Sequence, residues 1–117
     1  MKIDSVVFYS SDIDSIIDFY VNTVGLTLEY RQGEKYVSFL FDNGVRLGIK
    51  KTVEEREVPG AQTVFIGVEN AEEIYKLMQA KKVDFHKPLG YMEGFGHNFA
   101  IYDPDKNKVQ FIQREEN

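Results

Sequence analysis

Chemistry in this chain has few places to start, because its 117 residues include no cysteine. Thiolate nucleophiles, disulfides and cysteine-ligated metal centres are excluded. His86 and His97 lie eleven residues apart, one in an expected strand and one in the stretch Gly94-Phe95-Gly96-His97, so no helical face is shared. An imidazole titrating near neutrality would suit His97 to general-base work at a pocket mouth. The expected reading is a loop histidine without that role. Asp12, Asp14 and Asp18 fit helix capping and solvation, Glu54, Glu55 and Glu57 a solvated run, and Asp103 and Asp105 a turn around Pro104. Ser5 has no assignable base or oxyanion hole, and there is neither a Gly-x-Ser-x-Gly elbow nor a phosphate-binding glycine loop. Gly94-Phe95-Gly96 reads as a flexible lid or a turn. Binding, not covalent catalysis, is the expectation.

Residues that could bind a ligand emerge from the strand pattern. Ile3 to Ser10 reads as a strand, and a helix capped by Ser11 or Asp12 follows, with Ile13, Ile16, Ile17, Phe19 and Tyr20 inward and Gly25 at its end. Strands are expected over Leu26 to Arg31, Tyr36 to Phe41 and Val45 to Lys50. After a connector at 52–60 the order restarts: a strand from Gln62 to Val68, a helix from Ala71 to Lys81 burying Ile74, Leu77 and Met78, and strands over Val83 to His86, Asn98 to Tyr102 and Lys108 to Gln113. A shift of 58 residues sets Ser5 on Thr63, Phe8 on Ile66, Asp12 on Asn70 and Ile16 on Ile74. The chain is therefore expected to be one α+β domain of two βαβββ units, 1–51 and 61–114, whose curved mixed sheets enclose a shared cavity.

Alternation along the strands separates two faces. Val6, Phe8, Leu47, Ile49, Val64, Ile66, Val109 and Phe111 form an apolar set that should pack under the helices. The opposite set mixes polar, small and aromatic residues, as ligand pockets do. On it Tyr9, Tyr36, Phe65 and Tyr102 offer flat surfaces for stacking, while Arg46, Lys50, Asn98 and Gln110 would orient a ligand. Ser5 and Thr63 open the two units on this face, and Gly48 and Gly67 would clear space on it. Arg46 and Lys50 would suit an anionic or carbonyl-bearing ligand.

With 43% hydrophobic and 28% charged residues the balance is that of a globular protein. A net charge of −5 without a basic stripe makes nucleic acid an unlikely partner. No signal peptide is expected at the N-terminus, and no apolar stretch approaches the ~20 residues a membrane span needs, so a cytoplasmic location without membrane association is expected.

The opening IDSVVFYSSDIDSIIDFYVNTVGLTLEY, with D-[IL]-D-x-x-x-x-F-Y-x-x-x-x-G-L, resembles the start of the vicinal oxygen chelate superfamily, which includes glyoxalase I, extradiol dioxygenases and the fosfomycin- and bleomycin-resistance proteins. The ending AIYDPDKNKVQFIQ is similar to its closing D-P-D-G-N-x-[IV]-E-[FLI] signature, with Lys106 in place of glycine. In metal-dependent members the resemblance implies a histidine on the first strand and a glutamate or glutamine on the fourth strand of each unit. Those positions fall here on Ser5, Gly48, Thr63 and Gln110, and one residue either side of Gly48 are Leu47 and Ile49, no better as ligands. Two hydroxyls, one amide and a missing side chain are a poor set for a divalent cation. The resemblance thus points to the metal-free, bleomycin-resistance-like branch: no cofactor, a small-molecule ligand with an aromatic part, drug sequestration as the role, and a homodimer; the anionic ligand that Arg46 and Lys50 would suit conflicts with the cationic drug of a true bleomycin binder. The alternative is a glyoxalase-like lyase or isomerase with an atypical site.

Overall fold

The computed structural model describes residues 1–115. The chain divides into two compact units, Met1–Ala61 and one beginning at Gln62, and each builds one four-stranded mixed sheet with its helix on one face. In the first unit β1 (Ser5–Ser10) leads into α1 (Ile13–Asp18), which runs on as a π-helical segment, Phe19–Val24. β2 (Thr27–Gln32), β3 (Tyr36–Leu40) and β4 (Arg46–Lys51) complete the sheet in the order β1-β4-β3-β2. The second unit repeats this with β5 (Thr63–Gly67), α2 (Ala71–Ala80), β6 (Phe85–Met92), β7 (Gly96–Tyr102) and β8 (Lys108–Gln113), ordered β5-β8-β7-β6. In both, the first strand pairs parallel with the last and the remaining pairs are antiparallel.

Helix entry follows the same chemistry twice. Asp12 accepts from the Asp14 amide at 3.1 Å, and Asn70 accepts from the Glu73 amide at 3.0 Å, each satisfying a first-turn N–H that the helix itself cannot. Gly25, with φ +90, ends the first helix as a left-handed cap, its amide donating to the Tyr20 carbonyl at 3.1 Å. Between that helix and its sheet lie Phe8, Ile13, Ile16, Tyr20, Val37, Phe39, Leu47 and Ile49, all buried. Val6 differs from expectation: it shares their parity yet is 48% exposed. The second core holds Ile66, Met78, Phe99, Ile101, Val109 and Phe111. Leu77, expected inside, is half exposed, because Ala71, Tyr75 and Met78 define the inward stripe. Tyr75 instead packs edge-on against Phe85 and Phe99, with ring centroids 5.2 and 5.1 Å away.

β6 runs to Met92, well past the expected end at His86. Pro88 and Gly90 argue against a strand, but β6 is the sheet edge and its register shifts between Phe85, Lys87 and Gly90, so the missing proline N–H breaks no ladder. The turn before β8 is held by Asp103, whose carboxylate accepts from the amides of Asp105 and Asn107 at 2.9 Å and from the Asn107 side chain at 3.0 Å. Lys106 there has φ +72, the conformation that explains why glycine fits this place.

Two substitutions test that turn. Lys106→Gly is expected to raise the urea midpoint, gaining about 0.5–1 kcal/mol, since the left-handed strain of ~1–2 kcal/mol is partly offset by glycine's greater freedom when unfolded. Asn107→Ala, at a fully buried side chain, is expected to cost roughly 1–3 kcal/mol by removing the buried hydrogen bonds of that side chain with Asp103 and the Gln62 amide.

Candidate functional site

The helix-free face of the first sheet is organised in cross-strand rows. Ser5, Arg46 and Leu40 make one row, Val7, Gly48 and Ser38 the next, and Tyr9, Lys50 and Tyr36 the third. The register sets Gly48 opposite the third residue of β1, as it sets Gln110 opposite the third residue of β5. The two are therefore equivalent positions, and Leu47 and Ile49 belong to the core side.

Gly48 does not open space as expected. A Cβ built there would collide with the Tyr36 hydroxyl and lie 3.0 Å from the ring carbon that carries it. The Tyr36 phenol occupies the volume that the glycine vacates, with Tyr30 beside it at a 6.4 Å ring distance. Gly67 does leave open space, with no atom within 4 Å of a Cβ at that position.

Both cations on this face are already paired. Arg46 donates to Glu29 at 2.5 Å and to Asp4 at 3.2 Å. Glu29 and Asp4 are held below the usual carboxylate range, Glu29 chiefly by the Arg46 hydrogen bond and Asp4 chiefly by that from Ser5, which donates to it at 2.6 Å. Lys50 donates to Glu57, whose other carboxylate oxygen accepts from the amides of Val53 and Glu54 at 2.9 and 3.1 Å. Glu57 is only 6% exposed, against the expectation of a solvated run. The connector folds back so that this one glutamate ties its own backbone to β4, and nothing in the local charge pattern distinguishes it from Glu54 or Glu55. Three carboxylates thus face two cations, and the anion-attracting field expected of Arg46 and Lys50 is cancelled.

In the second sheet the rows are Thr63, Lys108 and Tyr102; Phe65, Gln110 and Ala100; and Gly67, Ile112 and Asn98. Phe65 is 51% exposed and is braced edge-on by Phe95, with centroids 5.8 Å apart. Phe95 carries the Arg114 guanidinium 5.1 Å above its ring, and Arg114 also donates to the Gly94 carbonyl at 3.0 Å. Gly94-Phe95 is thus an anchored turn. Neither Phe95 nor Arg114 was singled out by the strand pattern, since both lie just outside regular strands. Asn98 is buried and donates to the Gly96 carbonyl at 2.9 Å, while Gln110 donates to the Asn98 oxygen at 3.1 Å. Tyr102 shares a hydrogen bond of 2.8 Å with His86. His97 has the parity of Phe99 and Ile101, beside Tyr91, and so lies off the Phe65–Gln110 face.

As metal donors these residues do not fit. Ser5 is engaged with Asp4, Gly48 lies under Tyr36, Thr63 offers a neutral hydroxyl and Gln110 one amide oxygen. Among the described residues no three His, Asp or Glu side chains form a metal-holding group. A divalent cation requires several charged or imidazole donors together.

Gly48→Ala is expected to cost about 1–2 kcal/mol by displacing the phenol, and less than about half of that in a Tyr36→Ala background, measured as a double-mutant cycle in urea. The Lys50 hydrogen bond, then that of the Val53 amide, lowers the Glu57 pKa from 4.5. The stabilisation this gives is complete above pH 4.5 and lost as pH falls through the lower folded value. Glu57→Gln should therefore flatten the acid side of a stability–pH profile and lower stability at neutral pH.

Comparison with solved structures places the same fold in three settings. TnmS3, an antibiotic-binding protein from Streptomyces sp. CB03234, is similar with TM-score 0.88 and 18% identity, over 98% of this chain and 97% of that one. The bleomycin-binding protein of Streptomyces verticillus, complexed with copper(II)-bleomycin, is similar with TM-score 0.78 and 20% identity, over 98% of each chain. Lactoylglutathione lyase from Agrobacterium tumefaciens gives TM-score 0.82 and 15% identity, over 96% of this chain and 92% of that one. No curated protein matches the sequence. The profile of one family spans residues 2–111, and with the two repeated sheet-and-helix units it establishes that the chain belongs to the Glyoxalase/Bleomycin resistance protein/Dioxygenase superfamily.

Proposed function

We propose that this protein binds and sequesters a small molecule with a flat aromatic part, without a metal and without catalysing a reaction on it. The observation that carries this reading is the face of the second sheet, where an exposed, braced Phe65 stands beside open space at Gly67 and the amide of Gln110. Aromatic area with a few fixed polar groups is the composition of a binding surface. On the same face of that sheet Tyr102 adds aromatic area and Thr63 a hydroxyl, and the first sheet, taken by itself, presents Tyr9, Tyr36 and Ser5. Neutralisation of Arg46 by Glu29 and Asp4, and of Lys50 by Glu57, removes the preference for anions and makes neutral or cationic compounds acceptable. Two proteins of the same fold are described as antibiotic-binding and bleomycin-binding, which supports drug sequestration as the role.

A cytoplasmic homodimer is the form in which we expect it to act. No helix among the described residues is long and apolar enough to cross a membrane. Light scattering at micromolar concentration reads the dimer directly, and a monomer would contradict it.

Screening aromatic compounds by thermal shift, followed by calorimetry, is expected to find saturable binding that Phe65→Ala weakens roughly fivefold, for ~1 kcal/mol of ring contact. No saturable binding across a diverse aromatic set would overturn the reading. So would stoichiometric nickel, zinc, iron or manganese in protein purified without chelator, which would favour a lyase or isomerase.

A further inference from the structure

We propose that Asn98 is a positioning residue that presents Gln110 as a hydrogen-bond acceptor, so that the second sheet selects aromatic ligands carrying an N–H or O–H group. The inference rests on the binding role proposed above and specifies its ligand class. Its origin is a one-way chain of amides. The Gly96 carbonyl can only accept, so the Asn98 side chain must turn its NH2 group toward it, at 2.9 Å. That leaves the Asn98 oxygen facing Gln110, and an oxygen without hydrogen can only accept, so Gln110 must offer its own NH2 group, at 3.1 Å. The carbonyl oxygen of Gln110 is what remains. It has no partner among the described residues and is not sealed from solvent.

Asn98 cannot easily reverse this order, because it is 1% exposed and a flip would set two oxygens against each other at Gly96. Gln110 alone, on a half-buried strand position, would be free to present either end. Phe65 is its register neighbour, so a ring lying on Phe65 brings a substituent to the Gln110 oxygen. A donor there completes the chain, whereas a methylated substituent leaves the oxygen covered and unpaired.

Calorimetry with 2-naphthol and 2-methoxynaphthalene tests this in the full chain. The naphthol is expected to bind about tenfold tighter, the usual consequence of leaving a covered acceptor unsatisfied. Gln110→Leu should abolish the preference, and Asn98→Leu should shrink the ratio of the two affinities, a readout that a loss of stability alone does not move. Should Asn98→Leu not fold, the Gln110 side-chain carbonyl resonance decides: the naphthol is expected to shift it in the unsubstituted protein, and an unmoved resonance overturns the proposal. Equal affinity for the two probes, or a preference that survives Gln110→Leu, overturns it while leaving sequestration standing. No binding of either probe overturns it, and the same result across a diverse aromatic set overturns sequestration as well.

Discussion

In each unit the first strand enters the sheet parallel to the last, and every later feature of the candidate site depends on that ladder. Ser5 is held opposite Arg46 and Thr63 opposite Lys108, so the parity of all four strands is fixed by hydrogen bonds at one edge. A slip of β4 by one residue would turn Leu47 and Ile49 away from the helix and bury Arg46 and Lys50 in their place. Burying two cations apart from their carboxylates is prohibitive beside the loss of a single ladder bond. The register is therefore strongly specified in the first unit by what must stay out as well as by what must go in.

Much of this was legible because strand alternation is a strict period of two. Phe8, Ile49, Ile66 and Phe111 could be assigned to the core from sequence spacing, and the helix entries were legible at Ser11 or Asp12 and at Glu69-Asn70, where the structure caps with Asp12 and Asn70. The illegible parts are those set by long-range contacts. β6 contains Pro88 and Gly90, and its existence depends on having a neighbour on one side only. Leu77 looks like a core residue in an amphipathic window, but Tyr75 takes the inward stripe because Phe85 and Phe99 lie opposite it. Glu57 resembles its neighbours in the connector until the chain folds back on Lys50.

The two units have drifted apart on their helix-free faces while keeping the same frame. Gly48 and Gln110 stand at one register, yet the first is filled by a phenol from an adjacent strand and the second by an amide tied to a buried partner. Likewise Tyr36 lies across Gly48, while Phe65 stands exposed beside Gln110. The first unit has used its aromatic to close a gap, and the second has kept one available. Sequence alignment of the halves shows that the residues differ. It does not show that one of them is covered, because Tyr36 reaches Gly48 from the neighbouring strand, across the hairpin rather than along the chain.

This asymmetry bears on the proposed binding role, in which the chain would recognise a ligand without a metal. Losing histidine and carboxylate ligands by itself leaves a hydrated surface with little to recognise. Here the first unit replaces the missing donor by packing, and its Arg46 and Lys50 spend their charge on Glu29, Asp4 and Glu57, so no strong field survives to recruit a small anion. The second unit substitutes an oriented amide and an exposed ring, interactions that act over a few ångströms and are directional. In the proposed role, recognition rests on shape and hydrogen-bond polarity rather than on charge, which is long-ranged and unselective. A surface of that kind suits the proposed sequestration, because a directional acceptor beside a ring separates ligands of similar size by the groups they carry.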